Sequence, residues 1–363
     1  MTAQCGIRYI GNCGLKVTNI CLGAMTFGER KEGINLPGQC DETASHALLD
    51  KFVEMGGNFV DTADSYSGGK SEQIIGTWLQ KQEREKIVLA TKVRFTTGKG
   101  VNDIGLSRKH IMFGVEQSLK HLQTHYIDLY QVHGWDDGTP IEEWLSTLND
   151  LVRSGKVRYL GLSNVTGWQL QKIIETTKTK GYEPFSTLQI QYSLLCREIE
   201  WELQEVCRRE GLGILPWSPL KGGYLTGKIA RGFAPEDSRV AWSEKELKNR
   251  PIEAAPSLST FADDERVWKT IDSLEAVAAE TSKSMPQIAL KWLLQQDMVS
   301  SVIIGAKKME QLVENMGAGD DSWTLSEDQL GRLNDASAVP VPYPYSMVNK
   351  FQNGRRRRGV RVL

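Results

Sequence analysis

The chain has 363 residues, 40% of them hydrophobic and 25% charged, an ordinary globular composition with length enough for a large core. A formal net charge of −1 offers no broad positive field for nucleic acid or an anionic membrane surface, and neither partner is expected. Six scattered cysteines without C-x-x-C spacing read as free thiols in a reducing compartment rather than as disulfides or a metal site.

From the N-terminus, I-R-Y-I-G-N-C-G-L-K-V-T sets an N-C-G turn between two short alternating runs and predicts a hairpin within residues 1–18. A buried strand follows at 19–25, then a glycine-rich loop and a helix opened by Asp41 and Glu42. Next come a strand at 59–61, a helix at 71–81, a strand at 86–93 and a helix at 108–122 with Ile111, Val115, Leu119 and Leu122 on one face. The alternation continues with strands at 126–133, 157–163, 187–192 and 212–217 and helices at 141–153, 168–177 and 198–210. Helices at 263–281 and 286–295, a strand at 301–304 and a helix at 309–316 complete it. No run of about 18 apolar residues spans a bilayer, and no basic-then-apolar leader opens the chain, so the expected location is cytoplasmic.

Eight strand–helix repeats after a hairpin predict an all-parallel, closed (β/α)8 TIM barrel. An open doubly wound sheet is the structural alternative, but no G-x-G-x-x-G opens a helix after the first strand. No linker divides residues 1–338, which are expected to form one domain. Residues 222–258 read as a long excursion over one face. The tail 339–363 opens V-P-V-P-Y-P-Y, predicting extended chain, and carries four consecutive arginines, expected as a solvated end or, as a minor alternative, an anion-binding one.

A barrel gathers the polar residues at its strand ends into one pocket. Asp61 ends the second strand, Tyr66 follows in its loop, Lys92 interrupts an apolar third strand, and His133 ends the fourth. Each alone reads as ordinary structure: a tyrosine plug, a snorkelling lysine, a satisfied histidine. Together they make an acid. A lysine ammonium about 4 Å from a phenolate attracts it by about 4 kcal/mol at an effective dielectric of about 20. Asp61 is the candidate to keep that lysine charged, and His133 to orient a substrate oxygen.

These residues, within D-T-A-D-S-Y-x-x-G-x-S-E and with G-L-S-N at 161–164, Q-x-x-Y at 189–192 and W-S-P-L at 217–220, make the sequence resemble the aldo-keto reductases over nearly its whole length. The run G-G-Y-L-T-G-K resembles the branch with aryl-alcohol reductases, aflatoxin-aldehyde-type reductases and potassium-channel β subunits. The resemblance implies an NADP-dependent oxidoreductase that reduces aldehydes or ketones, with Asp61, Tyr66, Lys92 and His133 as its catalytic tetrad and Tyr66 as proton donor. It implies that Ser163, Asn164 and Gln189 hold the nicotinamide carboxamide and that Trp217 stacks on the ring. Ser218, Pro219, Leu220, Gly222 and Lys228 then match the pyrophosphate loop, and Arg239 lies over the adenine. Gly305, Lys307 and Gln311 match the 2′-phosphate site, and Glu314 and Asn315 face adenine.

A helix opening just after Lys307 suits a phosphate and favours NADPH over NADH. Lys307 stands where many relatives have arginine or serine and Gln311 where others have arginine, which makes any phosphate contact less bidentate. Met25, Phe27 and Trp135, with Tyr224, Tyr343 and Tyr345, are expected around the substrate, or simply as barrel-mouth packing. A slow-turnover, NADPH-binding regulatory subunit is the alternative function; the lack of a long segment ahead of the hairpin tells against a channel-inactivating form. An isomerase or lyase barrel is a weaker third reading. Oligomeric state is left open.

Overall fold

The computed structural model describes residues 5–29, 37–247 and 255–351. The four-arginine run and Pro251 lie outside the described residues. Strands β1 (Ile7–Tyr9) and β2 (Lys16–Thr18) pair antiparallel, with Arg8 opposite Val17. Ile10 and Val17 are fully buried in one cluster with Phe59, Val88, Leu129 and Leu215. Asn12 N–H donates to the Gly211 carbonyl, so the hairpin plugs the end of the barrel where the strands begin.

The barrel strands are β3 (Ile20–Gly23), β4 (Phe59–Asp61), β5 (Val88–Val93), β6 (Ile127–Val132), β7 (Val157–Ser163), β8 (Phe185–Gln191), β9 (Gly213–Trp217) and β10 (Val302–Ile304). They lie side by side in chain order, all parallel, with β10 beside β3. The ring closes just before β10: Ile214 N–H donates to the Met298 carbonyl at 2.7 Å, and Ser300 N–H donates to the Ile214 carbonyl at 3.0 Å. The near-continuous apolar strands are those of a sheet covered on both sides.

Helices α1 (Glu42–Glu54), α2 (Lys70–Leu79), α3 (Arg108–His121), α4 (Ile141–Arg153), α5 (Gly167–Lys180) and α6 (Leu203–Glu210) form the crossovers between β3 and β9. Their starts are chemically marked: Asp41 accepts from Ala44 N–H, Ser107 from His110 N–H, and Thr166 with Gln169 forms a capping box. After β9 come α7 (Arg239–Glu246), α8 (Glu265–Thr281) and α9 (Met285–Leu294), and after β10, α10 (Met309–Met316), α11 (Glu327–Ala336) and α12 (Tyr345–Phe351).

Three departures from the sequence expectation have physical causes. The single helix expected over 198–210 is a 3₁₀ turn, Glu198–Trp201, and then α6, because Glu202 adopts φ −146° between them. The excursion contains α7, capped by Ser238. Inside the tail, α12 replaces extended chain: Pro344 precedes its first turn, where a missing N–H costs no bond, and Val348 N–H donates to the Pro344 carbonyl.

Candidate active site

The segment after β4 is held before it reaches Tyr66. Thr62 and Asp64 N–H groups donate to the Ala90 and Lys92 carbonyls at 2.9 and 3.2 Å, prolonging the pairing with β5. Ser67, Gly68 and Gly69 then take φ of 50°, 64° and 88°, a left-handed run for which two glycines are the natural residues. Ser67, the one with a Cβ, is locked there by its Oγ on the Gly28 carbonyl at 2.8 Å. Ser71 Oγ, at the start of α2, bridges the Ala24 carbonyl and Thr62 Oγ1, both at 2.8 Å. The phenol of Tyr66 is thereby fixed between the ends of β3 and β5.

Lys92 is fully buried, and its Nζ donates to Asp61 Oδ2 at 2.5 Å, to the Thr62 carbonyl at 2.8 Å and to Tyr66 Oη at 3.4 Å. The three donors of the ammonium are all used, as a buried cation requires. The other Asp61 oxygen accepts from Gln131 Nε2 at 3.0 Å and Gln189 Nε2 at 2.8 Å. The His133 ring stands edge-on to Tyr66, centroids 5.6 Å apart, and Phe95 packs on its other side at 4.5 Å. Sequence reasoning places Asp61, Tyr66, Lys92 and His133 at one pocket, and the structure brings those side chains together. It passes over Gln131 and Phe95. Gln131 carries the same signal that marked Lys92, a polar residue inside an apolar strand.

Burial of the Tyr66 phenol raises its pKa above the ordinary value and outweighs the lowering pull of Lys92. Judged from Lys92 alone, the shift would run downward. Burial disfavours the Lys92 ammonium, but Asp61 and the Tyr66 oxygen more than compensate, and its pKa is raised. His133 is driven well below the usual imidazole range by burial, with Lys92 and Arg94 adding to it. The pocket therefore holds a protonated phenol, a charged lysine and a neutral imidazole, whose Nδ1 has no hydrogen-bond partner among the described residues. Such a set can donate a proton to, and hydrogen-bond, a carbonyl oxygen.

Beside it, Ser163 Oγ is buried without a hydrogen-bond partner among the described residues. Asn164 is exposed and bonded once at each end of its amide: Nδ2 donates to the His133 carbonyl at 3.0 Å and Oδ1 accepts from Trp217 Nε1 at 3.1 Å. Gln189 keeps only its oxygen end, since its amide nitrogen is shared by Asp61 and Gln131. Trp217 and Ser218 are half-buried, Ser218 at φ 55°, and the loop continues through buried Pro219, half-buried Leu220 and Gly222 at φ 66° to exposed Lys228.

Gly305 opens the next loop, and a Cβ there would meet nothing within 4 Å, so the space above it is free. Lys307 Nζ instead has a partner, the Asp237 carbonyl at 2.7 Å and Oδ2 at 3.1 Å, while Lys307 N–H donates to Gln311 Oε1 at 3.0 Å. Arg239 is half-buried and makes no hydrogen bond or ion pair among the described residues. Glu314 lines a surface hollow with Met309 and Val313, and Asn315 is buried. An unpartnered hydroxyl, an open glycine and an unpaired guanidinium are features that fit an extended, phosphate-bearing cofactor.

Of the residues expected around the substrate, Met25 is exposed at the mouth and Trp135 is half-buried, edge-on to the exposed Trp168 at 5.5 Å. Phe27 and Tyr224 are fully buried and belong to the core, Tyr224 with its hydroxyl on the Ser257 carbonyl, so neither can form a pocket wall. Tyr345 stacks on Trp201, and Tyr343 projects into solvent.

Residues 19–338 match the sequence profile of the Aldo/keto reductase family. The chain is 33% identical over 346 residues to norsolorinic acid reductase of Aspergillus flavus, covering 93% of this chain and 82% of the relative. It is 34% identical over 347 residues to aryl-alcohol dehydrogenase [NADP(+)] of Phanerodontia chrysosporium, covering 92% and 86%. To a probable voltage-gated potassium channel subunit beta of Oryza sativa subsp. japonica it is 36% identical over 334 residues, covering 90% and 94%.

Proposed function

The chain belongs to the aldo/keto reductase family and is an oxidoreductase acting on carbonyl groups, and from that premise we propose that it reduces aldehydes or ketones to alcohols with NADPH, Tyr66 delivering the proton. The observation that carries this reading is the hydrogen-bonded chain Asp61–Lys92–Tyr66 beside a neutral His133. When bound, the nicotinamide supplies hydride to the carbonyl carbon. Tyr66 Oη hydrogen-bonds the carbonyl oxygen and passes it a proton as negative charge develops there. Lys92 stabilises the phenolate left behind, an effect worth most in a water-poor pocket. Asp61, anchored by Gln131 and Gln189, keeps Lys92 charged and aimed. His133, uncharged, orients the carbonyl oxygen without competing as an acid.

Ser163 Oγ, the Asn164 amide and the oxygen end of Gln189 are the groups available to a carboxamide, and Asn164 also holds Trp217 in place. Arg239, lacking an acidic partner, suits the adenosine phosphate end, and Lys307 stands at the mouth of the same region. The aromatic rim of Trp135 and Trp168 suits carbonyl compounds with flat substituents.

Tyr66→Phe tests the proton donor. We expect kcat for benzaldehyde reduction to fall by about 10²- to 10⁴-fold, with NADPH affinity, read by quenching of tryptophan fluorescence, changed little. A variant turning over at the wild-type rate would remove Tyr66 from the mechanism. The rice channel-subunit relative favours a second reading, a slow NADPH-oxidising regulatory subunit. Single-turnover oxidation of bound NADPH that outpaces steady state by orders of magnitude would support it.

A further inference from the structure

Arg94 is the first residue beyond β5, two positions past Lys92, and the chemistry above makes no use of it. It holds φ of 146°, a conformation that side-chain-bearing residues rarely adopt, so its neighbours must keep it there. Two of them do. Its Nε donates to the Trp135 carbonyl at 3.1 Å, and the guanidinium carbon stands 5.2 Å from the centre of the Phe95 ring. That ring is the one packed on His133 at 4.5 Å. The cation is therefore anchored on the Trp135 side of the mouth, one aromatic ring away from His133, and its charge helps to depress the histidine's proton affinity.

Arg94 is half-buried as a residue, and among the described residues no carboxylate lies within ion-pair distance of its guanidinium. Asp136 feels the charge, but its oxygens are taken by Leu106 N–H at 2.7 Å, Gly138 N–H at 3.0 Å and Thr139 Oγ1 at 2.7 Å. Nη1 and Nη2 donate to no acceptor among the described residues. A positioned guanidinium with its fork free is built for a planar, bidentate anion.

We propose that Arg94 is the anion subsite of the carbonyl pocket, and that the preferred substrates are aldehydes or ketones carrying a carboxylate about one aromatic ring's length from the carbonyl. This rests on the carbonyl-reductase reading and narrows it to a substrate class. The carbonyl sits at Tyr66 and His133, the apolar body lies along Phe95 and Trp135, and the carboxylate meets Nη1 and Nη2.

The test compares 4-carboxybenzaldehyde with methyl 4-formylbenzoate, which differ in the charge and little else, in steady-state reduction with NADPH by wild type, Arg94→Gln and Arg94→Lys. Wild type favours the acid at least tenfold in kcat/KM, mostly through KM. In Arg94→Gln the acid-to-ester ratio drops to about one, and Arg94→Lys falls between, because an ammonium keeps the charge and loses the fork. Using the ratio cancels any general loss from disturbing the strained backbone. A wild-type ratio of one or less, or a ratio unchanged in Arg94→Gln, overturns the subsite while leaving carbonyl reduction standing. If neither aldehyde is reduced, the carbonyl-reductase reading fails instead, and the subsite is judged on binding. Tryptophan-fluorescence titration with 4-(hydroxymethyl)benzoate and its methyl ester must then show the acid binding at least tenfold tighter in wild type and not in Arg94→Gln.

Discussion

At Tyr66 two opposing effects meet, and their balance sets the direction in which the residue is useful. Burial pushes the phenol up and Lys92 pulls it down, with burial prevailing, so at neutral pH the group keeps its proton, the form that the proposed reduction would consume. His133 is depressed by burial and by two nearby cations, so it binds no proton in the same range. The rate of aldehyde reduction is then expected to stay flat from about pH 6 upward and to fall only above the ordinary phenol value of about 10, as Tyr66 loses its proton. A kcat/KM profile measures this, and an inflection near pH 6.5 that vanishes in His133→Asn would mean the imidazole titrates after all. Asp61, Tyr66, Lys92 and His133 were legible in the sequence because polar residues in or just beyond apolar strands advertise themselves. Arg94 was not, since a charged residue just past a strand resembles any solvated loop residue until its backbone and its missing partner are seen. Phe27 failed the other way, because nothing in a Gly-rich segment tells whether an aromatic ring faces the mouth or the core.

Between elements, the decisive contact is the one joining the β10–α10 loop to the excursion. The aliphatic stem of Lys307 covers Gly38, where an added Cβ would come within 2.3 Å of it, and its ammonium reaches Asp237 just ahead of α7. Sequence reasoning could place Lys307 ahead of a helix but could not see a carboxylate seventy residues earlier in competition for it. Exposed ion pairs are weak, and a phosphate dianion is the stronger partner, so Lys307 is expected to change partners when NADPH binds. On that view Lys307→Ala narrows the preference for NADPH over NADH to about threefold or less, whereas Asp237→Asn tightens NADPH by about threefold by removing the competitor. Dissociation constants of both cofactors for the two variants decide it: an unaltered preference in Lys307→Ala would detach the lysine from cofactor choice. The barrel helices themselves were readable to within a few residues from their apolar spacing and, for α1, from Asp41 at its start, while α6 was misread as longer for want of any signal that Glu202 breaks the turn.

Across the whole molecule, chemistry and closure sit at opposite ends of the barrel. The eightfold alternation announced the ring, but not how its seam is held, because the seam is made by residues outside the strands. Arg8, on the hairpin, donates through Nη1 to the Leu294 carbonyl at 2.7 Å and the Val299 carbonyl at 3.1 Å, tying the end of α9 and the approach to β10 to the plug. The same stretch carries the Met298 and Ser300 bonds that complete the barrel against Ile214. Replacing Arg8 by methionine keeps the aliphatic stem and removes two charge-assisted bonds, leaving two half-buried carbonyls unpaired. A loss of about 2 to 4 kcal/mol in unfolding free energy is expected. Because the plug closes the end where strands begin and Tyr66 sits where they finish, kcat for a good aldehyde below the unfolding range should remain within about twofold, as for sites that share no partners. Urea denaturation and initial rates on one preparation separate the two quantities. Stability that did not change would place the seam's strength in the apolar packing of Ile10 and Val17 alone, and a kcat that fell with stability would mean that closure at one end sets the geometry of Tyr66 at the other.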